Sequence, residues 1–458
     1  MTSITLNSLD PITIQSGTFY IEVWGCQMNV YDADRIRDLM RAVGMIEVAS
    51  PKDATIVILV TCAVRAKAED KVFNQLASWR HTGDINTQTI VALGGCVGSE
   101  LAEQILKLDS SINIVFGPRT IHRLPALLQN YQESGENQVE VEATAIDKFD
   151  YFPKNEVHGP SAFVTIMEGC SNKCTYCIVP YTRGEEQSRP VDDILEECLD
   201  LLGNGVKEIH LLGQNVNSYH GINSDGSVCT FAQLLYEIAA LPGVLRIRFT
   251  TSNPMDFTDD IIEALRDIDK IADGIHIPIQ SGSNRILEAM HRRYTAEEYL
   301  TLVQKLRVAR PSIHISSDFI VGFPSETAED FQKTMEIVNK VRFDQSFSFV
   351  YSKRPGTPAA SLPDSTPHEE KMQRLYTLQK RLEEISTEYT NEFLGKTLSC
   401  LVEGISRKDE HELKSRSSSG RIVVFSGSKS LIGQMVDVKI TSVAAHTLKG
   451  ELVSQDKE

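Results

Sequence analysis

The chain has 458 residues, with 46 Lys and Arg against 62 Asp and Glu, for a formal charge of −16. With 41% apolar and 24% charged residues, the composition suits two or three ordinary globular domains and excludes disordered and collagen-like chains. No apolar run approaches the roughly 20 residues of a bilayer span, and the polar start has no signal-peptide pattern, so a cytoplasmic protein that makes no membrane contact is expected.

In chain order, β-rich apolar runs alternate with amphipathic stretches, with strands at 18–24, 55–60 and 89–93 and helices at 32–43, 67–80 and 98–107. This alternation predicts βαβ units on an open parallel sheet. The polar stretch 132–160, with a loop at 133–137, marks a boundary and ends the first domain, 16–133. A second alternation follows, with strands at 163–167, 208–212, 246–250, 274–279, 313–321 and 345–351 and helices at 191–202, 231–240, 257–267, 296–309 and 328–341. Six β/α repeats predict a partial (β/α)6 barrel across 156–386, because a closed barrel of this kind has eight. Pro355, Pro358, Pro363 and Pro367 interrupt the pattern before a long helix at 368–393. The rest, 389–454, has runs at 397–402, 421–425 and 435–443 separated by Gly and Ser, which predicts a small antiparallel β-barrel. The fold class is α/β: an open parallel sheet, a partial barrel and a small β-barrel.

The nine cysteines carry the chemistry. An odd number in a large chain argues against a disulfide framework and for metal or redox use. Cys170, Cys174 and Cys177 lie within eight residues directly after the first barrel strand. Three thiolates on one loop suit three corners of an iron–sulfur cubane, with the fourth iron open. Zinc would need a fourth ligand, and none follows at finger spacing; zinc and inert thiols are the alternatives. Cys26, Cys62 and Cys96 are spread out, yet each follows the carboxyl end of a predicted parallel strand. Those ends share one edge of an open sheet, so residues 36 and 34 positions apart can meet there. Gly25, Gly94 and Gly95 permit close backbone approach; buried thiols without a ligand are the alternative. Cys198 shares a helix face with Ile194, Leu195, Leu201 and Leu202, Cys229 lies in a loop and Cys400 on a short strand, so these three are read as packing residues.

Three further segments sit at later strand ends, where barrel sites lie: Gly213-Gln214-Asn215, Gln280-Ser281-Gly282-Ser283 and Gly322-Phe323-Pro324. Ordinary β/α turns are the competing reading. Arg183 and Arg189 either contact an anion or are solvated. A net charge of −16 makes any nucleic-acid contact a local matter. Residues 391–458 hold ten Lys and Arg against nine acids, and Lys414, Arg416, Arg421 and Lys429 fall in an acid-free stretch. That is a candidate RNA strip, or a solvated face.

The run Cys-x3-Cys-x-Tyr-Cys resembles the radical S-adenosylmethionine superfamily. Gly25-Cys26-Gln27-Met28-Asn29, Thr61-Cys62-Ala63-Val64-Arg65, Gly94-Gly95-Cys96-Val97, FGPRTIHRLP and MEGCSNKCTYCIVPYTRGEEQSRP resemble the methylthiotransferases within it, over nearly the whole chain. The resemblance implies two 4Fe-4S clusters, an auxiliary one on Cys26, Cys62 and Cys96 and a cofactor-cleaving one on Cys170, Cys174 and Cys177. It also implies S-adenosyl-L-methionine bound near Tyr176, with Gln214, Asn215, Ser281 and Gly322 as pocket candidates, and an RNA-binding TRAM-like C-terminal module. The motifs are most similar to the branch acting on tRNA, which implies methylthiolation of C2 of N6-dimethylallyladenosine at position 37. One cofactor molecule would methylate a sulfur at the auxiliary site, and a second would yield the radical that abstracts hydrogen from C2. Branches acting on ribosomal protein or threonylcarbamoyl-adenosine differ around the cysteines. One departure is Asn253, where the family pattern suggests His. An electron donor such as flavodoxin or ferredoxin, a sulfur or cluster supplier and a monomeric state complete the expectation.

Overall fold

A computed structural model describes residues 14–62, 67–102, 104–142, 147–444 and 447–453. The chain divides into two compact units. The first takes residues up to Glu156 together with Glu168–Lys173 and Cys177–Gln187, and the second takes Val157–Met167, Cys174–Tyr176 and the chain from Ser188 onward.

The first unit contains β1 (Thr18–Val23), α1 (Gln27–Ala42), β2 (Ile46–Glu47), β3 (Ile56–Thr61), α2 (Lys67–Thr82), β4 (Ile90–Gly95), α3 (Cys96–Leu101), α4 (Gln104–Leu108), β5 (Ile114–Phe116), α5 (Leu124–Ser134) and β6 (Gln138–Glu140). The strands form one sheet in the order β2-β1-β3-β4-β5-β6, and every pairing is parallel. All six residues of β3 are buried, as a central parallel strand covered on both faces requires. Its alternate residues divide accordingly. Ile56, Ile58 and Val60 join Ile36 and Met40 of α1 and Leu124 and Leu128 of α5 in one apolar cluster, while Val57 and Leu59 join Val72, Leu76 and Trp79 of α2 in another.

Three details differ from expectation. α1 begins five residues early because Met28 and Tyr31, set among polar neighbours, are buried. The helix expected at 98–107 breaks at Ala102, which takes φ 44°, and becomes α3 and α4. β6 follows the expected loop, lies within the polar, extended stretch 132–160 and pairs with β5, so the sheet continues past the boundary expected at 133.

In the second unit the six expected barrel strands are present, at Ser161–Thr165, Glu208–Leu212, Arg246–Phe249, Gly274–His276, His314–Ser316 with Asp318–Val321, and Phe347–Val350. Neighbours pair in parallel, and bridges Ile247↔Ile271 and Gln280↔Phe319 continue the series. The fifth strand is split at Ser317, where side-chain hydroxyls replace ladder partners: Ile279 N–H donates to Ser317 Oγ at 2.9 Å and Ser317 N–H to Ser346 Oγ at 3.0 Å. Val164, Ile209, Leu211, Ile247, Phe249, Ile275, Ile315 and Phe319 pack in the large apolar core with residues of the intervening helices. The alternate residues, among them Phe163, His210, Arg248, His276 and Asp318, take the inner face.

The long helix His368–Asn391 leads to a closed barrel of Thr397–Ile405, Glu412–Ser417, Ile422–Ser426, Thr447–Leu452 and Met435–Val443. The expected small antiparallel barrel is present with one exception: Ile422–Ser426 and Thr447–Leu452 run parallel, and the other four pairings are antiparallel. Directions cannot alternate around a closed ring with an odd number of strands, so one parallel pairing is unavoidable. The strand Glu412–Ser417, missed among its Lys, Arg and Ser residues, leads into a turn held at the base of the (β/α)6 strands. Arg246 Nη2 donates to Arg416 O at 2.9 Å, Arg248 Nη1 to Ser418 O at 3.0 Å and Gly274 N–H to Ser418 O at 3.3 Å. Glu208 orients both arginines, at 2.6 Å from Arg246 Nε and 2.8 Å from Arg248 Nε. Although burial opposes its ionisation, Arg248 and Arg246 hold its carboxyl down at about 2.

Candidate active site

In the first unit, three adjacent strands end in register. Val23 lies opposite Val60, Val60 opposite Gly94 and Thr61 opposite Gly95. Cys26 caps the N-terminus of α1, Cys62 directly follows β3, and Cys96 opens α3 immediately after β4. The structure therefore brings the three cysteines to one edge of the sheet, near enough for Cys26 and Cys96 both to perturb the Cys62 thiol. Gly95 makes the approach possible. It takes φ +87°, and a Cβ there would collide with the Thr61 carbonyl oxygen, so only glycine lets β4 turn into α3 beside Cys62. The Ala63, Val64 and Arg65 positions of the motif lie outside the described residues.

The electrostatics favour thiolate at two of the three positions. The hydrogen bond with Cys62 and then, against the effect of burial, the Arg183 guanidinium hold Cys26 and Cys96 below the usual thiol range. Cys62 is pushed up by the same two thiol contacts and by burial. A cation and a set of soft donors at one sheet edge fit a thiolate-ligated iron–sulfur cluster, whose ligands must be deprotonated.

The second set lies on one loop, Cys170 to Cys177. In the first unit, Cys170 N–H donates to Gly184 O at 3.1 Å, and Gly169 takes φ +81° where a Cβ would meet the Glu185 carbonyl oxygen. Ile178, next to Cys177, is buried in the apolar cluster that includes Cys96 and Val97. In the second unit, Thr175 N–H donates to Met290 O at 3.0 Å and its hydroxyl to Ala289 O at 2.9 Å. Arg292 Nη1 donates to Cys174 Sγ at 3.4 Å, and its Nη2 is fixed on Pro278 O at 3.0 Å. Three thiols on a loop pinned by backbone contacts at several points suit a cubane that must keep one iron open.

Tyr176 packs against the apolar group Ile286, Met290, Phe323, Tyr351 and Ala359. Gln214 is half-buried at a strand end. Asn215 is buried, its Nδ2 donating to Asp256 at 2.6 Å and its Oδ1 accepting from Asn253 N–H at 3.2 Å. Ser281 is fully buried; its hydroxyl accepts from Ser283 N–H at 3.2 Å and lies 3.4 Å from Thr334 Oγ1, so it shapes the turn. Gly322, at φ +65°, donates to Glu326 Oε2 at 2.6 Å, and Glu326 pairs with Arg374 of the long helix at 2.7 Å. Asn253 caps the short helix Pro254–Asp256 through Met255 N–H and is locked to Asn217, which gives it a structural role.

The candidate RNA strip is corrected at one position. Arg421 is only 3% exposed and grips Asp344 with both terminal nitrogens, at 2.5 and 2.8 Å, so it serves packing. Lys414 and Arg416 share Glu403; the stretch is free of acids in sequence, but its neighbouring strand supplies one. Lys429 is exposed. Arg183 and Arg189, read as anion contacts or solvated residues, are both buried and paired, Arg189 with Glu197 at 2.6 Å. The reading of the sequence also missed Arg292 and the buried quartet that joins Arg183 to Asp32, Lys148 and Glu168. No spacing in the sequence links Asp32, Lys148 and Arg292 to the cysteines. Cys198, Cys229 and Cys400 are buried, and burial pushes their thiols up, Cys400 to about 12, as inert packing residues require.

Three family models match. Radical SAM superfamily covers 164–338, Uncharacterized protein family UPF0004 covers 18–117, and TRAM domain covers 392–453. Fold and cysteine loop together define a radical S-adenosylmethionine protein. Among solved structures, the chain is similar to the radical S-adenosylmethionine methyltransferase TsrM from Kitasatospora setae, with a TM-score of 0.55 at 15% identity over 75% of each chain. It is also similar to the cobalamin-dependent S-adenosylmethionine radical enzyme OxsB, with a TM-score of 0.51 at 15% identity over 81% of this chain and 56% of that one. Both are likenesses of fold. The tRNA-2-methylthio-N(6)-dimethylallyladenosine synthases of Haemophilus influenzae (strain PittGG) and Pasteurella multocida (strain Pm70) are each 48% identical over 96% of this chain and 93% of their own. The chain belongs to that family of synthases.

Proposed function

We propose that the chain methylthiolates tRNA, placing a methylthio group on C2 of N6-dimethylallyladenosine at position 37 by radical S-adenosylmethionine chemistry. The observation that carries this reading is the coexistence of two three-cysteine sets: a radical enzyme of the ordinary kind needs only the loop, whereas sulfur insertion needs a second centre. When bound, the cluster on Cys170, Cys174 and Cys177 supplies an electron to S-adenosylmethionine, and the one on Cys26, Cys62 and Cys96 supplies the site of sulfur transfer. The chemical problem is that an aromatic C–H bond offers no leaving group for acid–base substitution.

The chain's own residues position these groups. Arg292 sets Cys174, Thr175 anchors the loop, and Tyr176 with its apolar neighbours offers a surface for the cofactor's adenine. Gln214, Asn215, Ser281 and Gly322 shape the strand ends around it. Lys414, Arg416 and Lys429 of the C-terminal barrel meet the RNA backbone. The protein works in the cytoplasm as a monomer, fed by a flavodoxin or ferredoxin and by a sulfur or cluster supplier; no described helix is long and apolar enough to cross a membrane. Mass spectrometry of tRNA nucleosides from a deletion strain tests the assignment. Loss of methylthio-isopentenyladenosine with accumulation of its unthiolated precursor is expected, and an unchanged level contradicts it.

A further inference from the structure

Arg183 is 2% exposed and follows the short helix Val179–Thr182. Its Nη2 lies 2.9 Å from Asp32 and its Nη1 3.1 Å from Glu168, and Nη2 also reaches Asn29 Oδ1 at 3.5 Å. Asp32 and Glu168 are shared with the Lys148 ammonium, itself fully buried. Two cations against two carboxylates leave the quartet neutral and hold the guanidinium in one orientation. The segment that carries Arg183 packs beside the other cysteine set: Ile178 shares an apolar cluster with Cys96 and Val97, and Asn29, 3.5 Å from Arg183 Nη2, links it to Cys26, whose Sγ lies 3.8 Å from Asn29 Oδ1; the nearby guanidinium lowers the Cys96 thiol. Burying four charges is costly unless each is paired, and a structural network alone has no need to sit beside two of the three cysteines. The segment that supplies Arg183 begins at Cys177, six positions earlier, so one stretch of chain serves both cysteine sets.

Resting on the reading that Cys26, Cys62 and Cys96 hold a 4Fe-4S cluster, we propose that Arg183 is a positioning residue for that centre, which places a fixed cation beside the cysteines and raises the reduction potential of the bound cluster. A cubane held by three thiolates is anionic, and reduction adds a further negative charge. A fixed cation in a buried setting favours the reduced form.

The test uses the full chain with Cys170, Cys174 and Cys177 all replaced by Ala, so that only the second centre loads, reconstituted anaerobically with iron and sulfide. Redox titration followed by electron paramagnetic resonance reads the midpoint. Arg183→Gln is expected to bind the same iron and to titrate at a more negative potential, with Arg183→Lys, which keeps the charge, shifting less. Because Arg183→Gln leaves two carboxylates with one cation, Arg183→Gln/Asp32→Asn restores neutrality and carries the same measurement if the single variant fails to fold. An unmoved midpoint at full iron loading overturns the inference, as does iron loss in all three variants, which would assign Arg183 to folding alone. Absence of iron from the protein that keeps Arg183 would instead overturn the reading that this triad holds a cluster.

Discussion

Cys170, Cys174 and Cys177 lie on eight residues of chain, whereas Cys26, Cys62 and Cys96 are contributed by three adjacent strands of a parallel sheet. In the first set covalent spacing keeps the donors within reach, and the fold needs only to pin the loop, through Gly169, Thr175 and Arg292. In the second set the cysteines reach one sheet edge because β1, β3 and β4 end in register, and a buried cation lies on the segment packed beside them. One site is local and the other is a property of a whole domain.

The sharpest way to break this comparison is to remove one cysteine from each set. Cys170→Ala should abolish both reductive cofactor cleavage and methylthio transfer. Cys96→Ala should abolish methylthio transfer yet retain cleavage, read as 5′-deoxyadenosine release by chromatography beside nucleoside mass spectrometry. Methylthio transfer by the Cys96 variant would remove the distinction.

Glycine substitutions probe how each site is held. Gly95→Ala and Gly169→Ala each force a side chain into a left-handed conformation against a carbonyl oxygen, a strain of about 1–3 kcal/mol. Each should lower bound iron by about four per chain. Cleavage should survive in the Gly95 variant and fail in the Gly169 variant, the same split as the ligand substitutions produce.

Legibility in the sequence followed the same divide. The loop was visible from spacing alone. The dispersed triad became visible only once each cysteine was placed after a strand, which worked because β1, β3 and β4 are six-residue strands rich in apolar residues. β5 and β6, with three residues each, are too short for a periodic signal, and Met28 and Tyr31 were hidden among polar neighbours at the start of α1. The charged residues were least legible. Arg183, Arg189 and Arg421 look solvated in sequence, and only the fold brings them to Glu168, Glu197 and Asp344. Lys148 carries no motif at all.

A smaller effect separates fold from site. Glu208 keeps its charge in the folded chain down to about 2, below the roughly 4.3 of a free glutamate. Its contribution, on the order of 3 kcal/mol, is therefore present above the unfolded value and is lost as pH falls from there through about 2. Thermal unfolding of the apo chain between pH 5 and 3 should show this slope in the wild type and a shallower one in Glu208→Gln. Equal slopes would remove Glu208 from the account of how the C-terminal turn is held.

The smallest effect belongs to the cysteines outside both sets. Cys198→Ala and Cys400→Ala should each cost about 1 kcal/mol of stability, as a small truncation in a core does, with iron content unchanged. Iron loss in either variant would blur the division of nine cysteines into six ligands and three packing residues.

The central claim, two separate clusters on two three-cysteine sets, is tested most directly by counting iron and sulfide in anaerobically reconstituted full-length protein. The counts compare the wild type, the Cys26/Cys62/Cys96 triple-alanine variant and the Cys170/Cys174/Cys177 triple-alanine variant. About eight, four and four irons per chain are predicted, with matching sulfide. Eight irons retained in either triple variant, or zinc in place of iron in the wild type, would contradict the account.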